Sequence, residues 1–161
     1  MAAVISNTGP IIALAGIHQL ALLSKLFGTV QISPQVYLEL SGGAERIASN
    51  PVAGIDWIKT ETLTQPMDPL LVYELDSGEA TTIALARERP GSLVLIDEQK
   101  GRRIAEKVYG LSILGTGGVL LRAKIRGIIP SLKPLLLQMK ANGYYLSEKV
   151  VQGLCAVAGE A

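Results

Sequence analysis

Ser92-Leu93-Val94-Leu95-Ile96-Asp97-Glu98 decides the fold. Four apolar residues without alternation run straight into two adjacent acids. An unbroken apolar run of this length reads as a strand covered on both faces, as in a parallel sheet. The acids then stand at the carboxyl end of that strand. Open α/β sheets bind ligands in the crevice outside those ends. A basic, helix-like stretch follows, from Gln99 through Lys100, Arg102 and Arg103 to Val108.

Working outward, strands and helices alternate. Ala2 to Ser6 is a short apolar strand, and Pro10 opens a helix through Ile11, Ile12 and Leu14. Leu20 to Phe27 reads as a second helix, stopped by Gly28. Thr29 to Ile32 is a strand. Ser33 caps and Pro34 opens the helix that carries Glu39, which ends at Gly42-Gly43. Ala44 to Ser49 is a weak helix, Ile55 to Lys59 alternates like a strand, and Thr62 to Pro69 is loop. Asp76 starts a helix that runs from Ala80 to Arg89. Beyond the central strand, one helix reaches about Tyr109 and stops at Gly110. Leu111 to Leu114 is a strand. Helices follow at Gly117 to Arg126, at Ile129 to Lys140, and after Ser147-Glu148. This order predicts an α/β protein: a three-layer α/β/α sandwich on a parallel sheet, with extra C-terminal helices. Residues 1–161 are expected to form one domain, with a helical extension from about residue 130 packed on it.

Composition narrows the chemistry. With one cysteine, Cys155, and one histidine, His18, neither a disulfide framework nor a Cys/His zinc site can form within the chain. Cys155 lies in an apolar helical stretch and is expected in the core. His18, in a Gly-Ile-His-Gln link, is expected at the surface or in a cap. Ser–His and Cys–His hydrolysis would have to rely on that histidine. No apolar run reaches the ~18 residues that span a bilayer, and the N-terminus lacks a basic leader. The expectation is a cytoplasmic protein without membrane contact. A net charge of +1 is too low for a surface that coats nucleic acid throughout, so any such contact must be local.

Polar residues collect where the predicted strands end. Asn7 and Thr8 follow the first strand, and Glu39 lies in the helix after the second. Asp76 and Glu79 open the helix before the central strand, Asp97 and Glu98 end that strand, and Thr116 follows the next one. Each has a structural explanation. Asp76 with Glu79 fits a capping box, Asp97 could cap its helix, and Glu39 could be a solvated acid. Their joint placement is harder to explain that way. Two carboxylates about 4 Å apart repel by roughly 4 kcal/mol at an effective dielectric near 20. An all-oxygen cluster of this kind suits Mg²⁺ or Mn²⁺, and metal-assisted phosphodiester cleavage is a chemistry such a site performs.

These stretches resemble the PIN-domain family, and within it the prokaryotic, VapC-like group whose members begin Ile-Ser-Asn/Asp-Thr-Ser-Pro. The resemblance is carried by Val4 to Leu14, Pro34 to Leu40, Leu75 to Ala80 with Ile83 to Ala86, and Leu95 to Arg103. Gly115 to Leu121 and Asn142 to Glu148 extend it over nearly the whole chain. It implies an endoribonuclease that cleaves single-stranded RNA with Mg²⁺ or Mn²⁺. It also implies a homodimer and an antitoxin protein as partner, since many members are toxins of toxin–antitoxin pairs. Carried over by position, the catalytic set is Asn7, Glu39, Glu79 and Asp97. The metal ligands are Glu39, Glu79, Asp97 and Glu98, and Thr8 and Thr116 line the site. Asn7 departs from the usual aspartate. Its amide oxygen can ligate a hard cation but brings no charge and no base. Gly9 stands where serine is usual. Lys100, Arg102 and Arg103 are candidates to grip RNA phosphates, or else form a solvated helix face. Tyr144 and Tyr145 are expected to pack the C-terminal helix rather than stack on bases. Asn7 also raises the alternative of a catalytically weakened RNA-binding or protein-interaction module. A small-molecule phosphate hydrolase would need a glycine-rich phosphate loop after the first strand, and none is present.

Overall fold

A computed structural model describes residues 2–42 and 50–160. Its center is a five-stranded, all-parallel sheet in the order β3-β2-β1-β4-β5. The strands are β1 (Val4–Ser6), β2 (Val30–Ile32), β3 (Ile58–Thr60), β4 (Leu93–Leu95) and β5 (Ser112–Leu114). Alternate residues feed two cores. Val4, Val30, Ile32 and Leu95 point into one, with Leu14, Leu120 and Leu136. Ile5, Val94 and Ile96 point into the other, against Leu85 and Ala86. Both faces of the central strands are therefore covered, as the unbroken run Leu93 to Ile96 requires. The result is the α/β/α sandwich expected from the sequence.

Nine α-helices flank the sheet among the described residues: α1 (Thr8–Gly16), α2 (Leu22–Phe27), α3 (Pro34–Leu40), α4 (Pro69–Glu74), α5 (Ser77–Arg87), α6 (Gln99–Arg103), α7 (Thr116–Ile125), α8 (Lys133–Ala141) and α9 (Glu148–Val157). One π-helical turn, Ile104–Val108, continues α6. Several expected boundaries shift. The strand expected over Ile55 to Lys59 pairs only at Ile58–Thr60. The Asp68-Pro69 pair, placed at the end of a loop, instead starts α4. Asp68 accepts from Leu70 N at 3.0 Å and Pro69 fills the first helical position, a common N-terminal arrangement. The helix expected over Ala44 to Ser49 lies outside the described residues. His18 is exposed with φ +56° after α1, in the terminating position expected of it. Cys155 is buried in the core. No helix among the described residues is long and apolar enough to cross a membrane.

The helix expected to begin near Ile129 starts only at Lys133. Its first turn is capped from far along the chain. Glu160 accepts from Ser131 Oγ at 2.7 Å, Leu132 N at 2.7 Å and Lys133 N at 3.0 Å, with Lys124 Nζ at 3.6 Å. The backbone bonds from Leu132 and Lys133, then Ser131 and Lys124, hold the Glu160 carboxyl down at about 2. A depressed carboxyl contributes stability above its unfolded value and loses it as the pH falls through the folded one. Glu160→Gln is therefore expected to melt at a lower temperature at neutral pH. The gap from wild type should close as the pH falls from about 4.5 toward 2. Thermal melts across that range check it, and a gap that stays constant would contradict the assignment.

Candidate active site

Sheet order fixes where a site can form. From β1 the chain moves to β2 and β3 on one side, then crosses to β4 and β5 on the other. The order therefore reverses beside β1, at the β1/β4 pair. Crevices at such switch points, outside the strands' carboxyl ends, are the usual ligand sites of open α/β sheets. Ser6 pairs with Leu95, and Asn7 N donates to Leu95 O at 2.9 Å. Asn7 and Asp97 thus leave adjacent strands at the same edge.

A cleft of about 780 Å³ opens there. Asn7, Thr8, Glu39, Asp76, Glu79, Asp97 and Glu98 all line it. Every acid expected in the site therefore reaches one crevice. α3 brings Glu39 and α5 brings Glu79. The Ser33 hydroxyl caps α3 by accepting from Val36 N and meets Thr81 Oγ1 at 2.8 Å, tying α3 to α5.

Each acid is held differently. Glu39 Oε2 accepts from the Thr8 hydroxyl at 2.6 Å. Asp76 caps α5, accepting from Glu79 N at 2.9 Å, while still lining the cleft. Asp97 does not cap α6. It accepts instead from Thr116 N at 2.8 Å and Thr116 Oγ1 at 2.6 Å, a carboxylate latched to the N-terminus of α7. Glu98 occupies the cap position of α6 but forms no side-chain cap bond. Glu79 is buried, with 8 % of its surface exposed. Burial first, then the charges of Asp76, Glu98 and Glu39, push its carboxyl up to about 7.

The basic residues lie outside this cleft. Lys100 Nζ pairs with Glu74 at 3.0 Å. Arg102 turns inward and donates to Ile96 O at 2.8 Å. Arg103 is exposed on α6. Tyr144, expected only to pack the C-terminal helix, also lines the cleft, as do Asn142 and Gly143. Burial, then the neighboring Asp97 charge and a hydrogen bond toward it, raise the Tyr144 phenol above its ordinary range. The sequence signal for this placement was the Asn142-Gly143 pair, a turn that stops α8 and redirects the chain. Tyr145 is 86 % exposed.

Asn7 Oδ1 is buried and has no hydrogen-bond partner among the described residues. Buried acceptors are rarely left unpaired, because each loses its solvation without return. An unpaired amide oxygen on a residue that lines the same cleft as the acids could offer a hard cation a neutral ligand. Among the described residues, however, no three acids lie close enough together to clasp a single ion. The donors are all oxygens, which suit a hard divalent cation held by one or two carboxylates with water completing the shell.

A family model described as a PIN domain matches residues 3–160. The chain belongs to the PIN-domain family. Neither the comparison with curated proteins nor that with solved structures yields a match. PIN domains are generally nucleases and typically use divalent metals, so membership gives this PIN domain a nuclease-like function.

α3 and α5 touch closely beneath the acids. A Cβ at Gly78 would lie 2.8 Å from Glu39 Cδ. Gly78→Ala should therefore push the Glu39 side chain off Thr8 while favoring the helix by up to about 1 kcal/mol. The expected result is an unchanged or slightly raised melting temperature. Any cleavage activity should fall by roughly ten- to a hundredfold, the scale of a misplaced catalytic group. Retained activity would show that the position of Glu39 does not matter.

Proposed function

We propose that the chain is a metal-dependent endoribonuclease that cleaves phosphodiester bonds of single-stranded RNA. One observation carries the reading: acids from three separate parts of the chain line one cleft, together with Asn7, at the topological switch point. Asp97 and Glu79 would be the principal ligands of Mg²⁺ or Mn²⁺, with Glu98 reaching the ion through a bound water. Glu39 would ligate or orient the attacking water, and Asn7 would serve as a neutral ligand or water anchor. When bound, the ion would supply positive charge against the phosphate and lower the pKa of a coordinated water.

The chain's own residues fix the acids in place. Thr116 aims Asp97 and Thr8 aims Glu39, each through a bond of 2.6 Å. Overall, a water adds to phosphorus and the bond to the leaving oxygen breaks, giving a phosphate monoester and a free hydroxyl. Of the basic residues, Arg103, exposed on α6, would meet phosphates beyond the cleft. Lys100 would have to exchange Glu74 for RNA, and Arg102 supports the backbone at Ile96. The test is cleavage of single-stranded RNA with Mn²⁺ by wild type and by Asp97→Asn. Equal rates would sink the reading.

A second reading is favored by Asn7 and by the lack of a three-acid clasp among the described residues. It holds that the fold binds RNA or a protein without cutting. Asn7→Asp separates the two. A large gain from a near-zero start would mark a weakened site. As a toxin, the chain would be expected to form a homodimer in the cytoplasm and to pair with an antitoxin encoded beside it. Inspection of the adjacent reading frame and sedimentation of the purified protein test those points.

A further inference from the structure

The cleft is acidic, and no lysine, arginine or histidine lines it among the described residues. A phosphodiester is itself an anion, so it needs hydrogen-bond donors there in addition to any cation. Most side-chain donors at the site are already committed. The Thr8 hydroxyl is given to Glu39 at 2.6 Å and the Thr116 hydroxyl to Asp97 at 2.6 Å. The Asn142 amide is given to Gly16 O at 3.0 Å. Among the described residues this leaves the Asn7 amide, the second N–H of Asn142, and the Tyr144 hydroxyl, whose proton is directed toward Asp97.

Tyr144 is held firmly. α8 ends at Ala141, and Asn142 ties the following turn to the end of α1 through Gly16. Gly143 adopts φ +95°, a conformation that strains any residue with a side chain. Tyr144 N then bonds Met139 O at 3.0 Å, which fixes the backbone that directs the ring into the cleft. Asp97 already accepts two short bonds from Thr116. The phenol proton can therefore turn to an incoming oxygen without leaving Asp97 unpaired. A lysine or arginine at this place would pair with the surrounding acids, whereas a neutral hydroxyl stays available.

We propose that Tyr144 is a substrate-binding residue whose hydroxyl donates to a phosphate oxygen of single-stranded RNA in the cleft. The inference rests on the ribonuclease reading above for its substrate class. It assigns the strap from Asn142 to Tyr144 a direct part in binding, beyond closing the fold.

The test uses the full chain and its Tyr144→Phe variant, which keeps the ring and removes only the hydroxyl. Binding of an end-labeled single-stranded oligoribonucleotide is followed by fluorescence anisotropy with Ca²⁺ in place of Mn²⁺. Losing a hydrogen bond to a charged group should raise Kd about tenfold. Melting temperature and calorimetric Mn²⁺ affinity should stay unchanged. Equal RNA affinity in the two proteins overturns the inference, and so does a wild type that binds no RNA. A parallel loss of Mn²⁺ affinity also overturns it, because Tyr144 would then act through Asp97. A wild type that binds RNA but never cuts it with Mn²⁺ sinks the ribonuclease reading alone. In that case, weaker binding by Tyr144→Phe still supports the contact.

Discussion

Asp97→Asn is expected to slow Mn²⁺-dependent cleavage of single-stranded RNA by roughly 10²–10³-fold, the scale on which one preorganized electrostatic contact acts. It should leave the melting temperature almost unchanged. The reason for both lies in the Thr116 latch. Asp97 accepts from Thr116 N at 2.8 Å and from Thr116 Oγ1 at 2.6 Å. In asparagine the amide oxygen keeps the bond from Thr116 N. The amide nitrogen faces a hydroxyl that can rotate and become the acceptor. The fold thus keeps both contacts, and only the negative charge is lost. Asp97→Ala differs, because it strands the Thr116 N–H and hydroxyl in a buried place. Each unsatisfied group costs about 1–3 kcal/mol, so the alanine variant should melt clearly lower. Calorimetric titration with Mn²⁺, chemical denaturation and RNA cleavage on the three proteins separate the two effects. If asparagine destabilizes as much as alanine, Asp97 is chiefly a structural latch.

Much of this site was legible because strand periodicity places residues on faces and ends. The apolar run Leu93 to Ile96 has nothing polar to offer solvent, so it had to be a covered strand. Asp97 then had to stand at its exit. Asn7 followed in the same way from the short strand before it. Side-chain partners were not legible, because they depend on packing between distant segments. Asp97 looked like a possible cap for the helix next to it, yet its partner is Thr116 on α7. Lys100 looked free for phosphate, but its partner Glu74 ends α4, a helix missed in the sequence. Tyr144 reaches the cleft from a turn after α8 that is anchored to Gly16 on α1 and to Met139. Asp76 satisfied both readings at once, since a cap and a cleft wall need the same position.

Glu79→Gln is expected to make the metal-free protein more stable at pH 8 while weakening Mn²⁺ binding. Burial and the nearby charges of Asp76, Glu98 and Glu39 raise the Glu79 carboxyl from 4.5 to about 7. The folded state then holds a proton that the unfolded chain has released. Stability from this group is present below the unfolded value and is lost as the pH rises through about 7. Every tenfold gain in proton affinity is worth about 1.4 kcal/mol. Glu79 is buried but lines an open cleft, whose solvent screens part of this and discounts the total to about 1–2 kcal/mol. Glutamine removes the charge and with it the loss. Urea melts in chelator should therefore show the variant ahead at pH 8 and level with wild type near pH 4. Added Mn²⁺ should reverse the order, because a cation among the acids favors the ionized carboxyl and stabilizes the folded state that binds it. Wild type would gain more from the ion than the variant, which has one charged ligand fewer. A glutamine variant that is less stable at pH 8 without metal would mean that Glu79 is not crowded by its neighbors. The cluster would then exert no repulsion for a cation to relieve. The acids would be a set of separate structural contacts that happen to share a cleft.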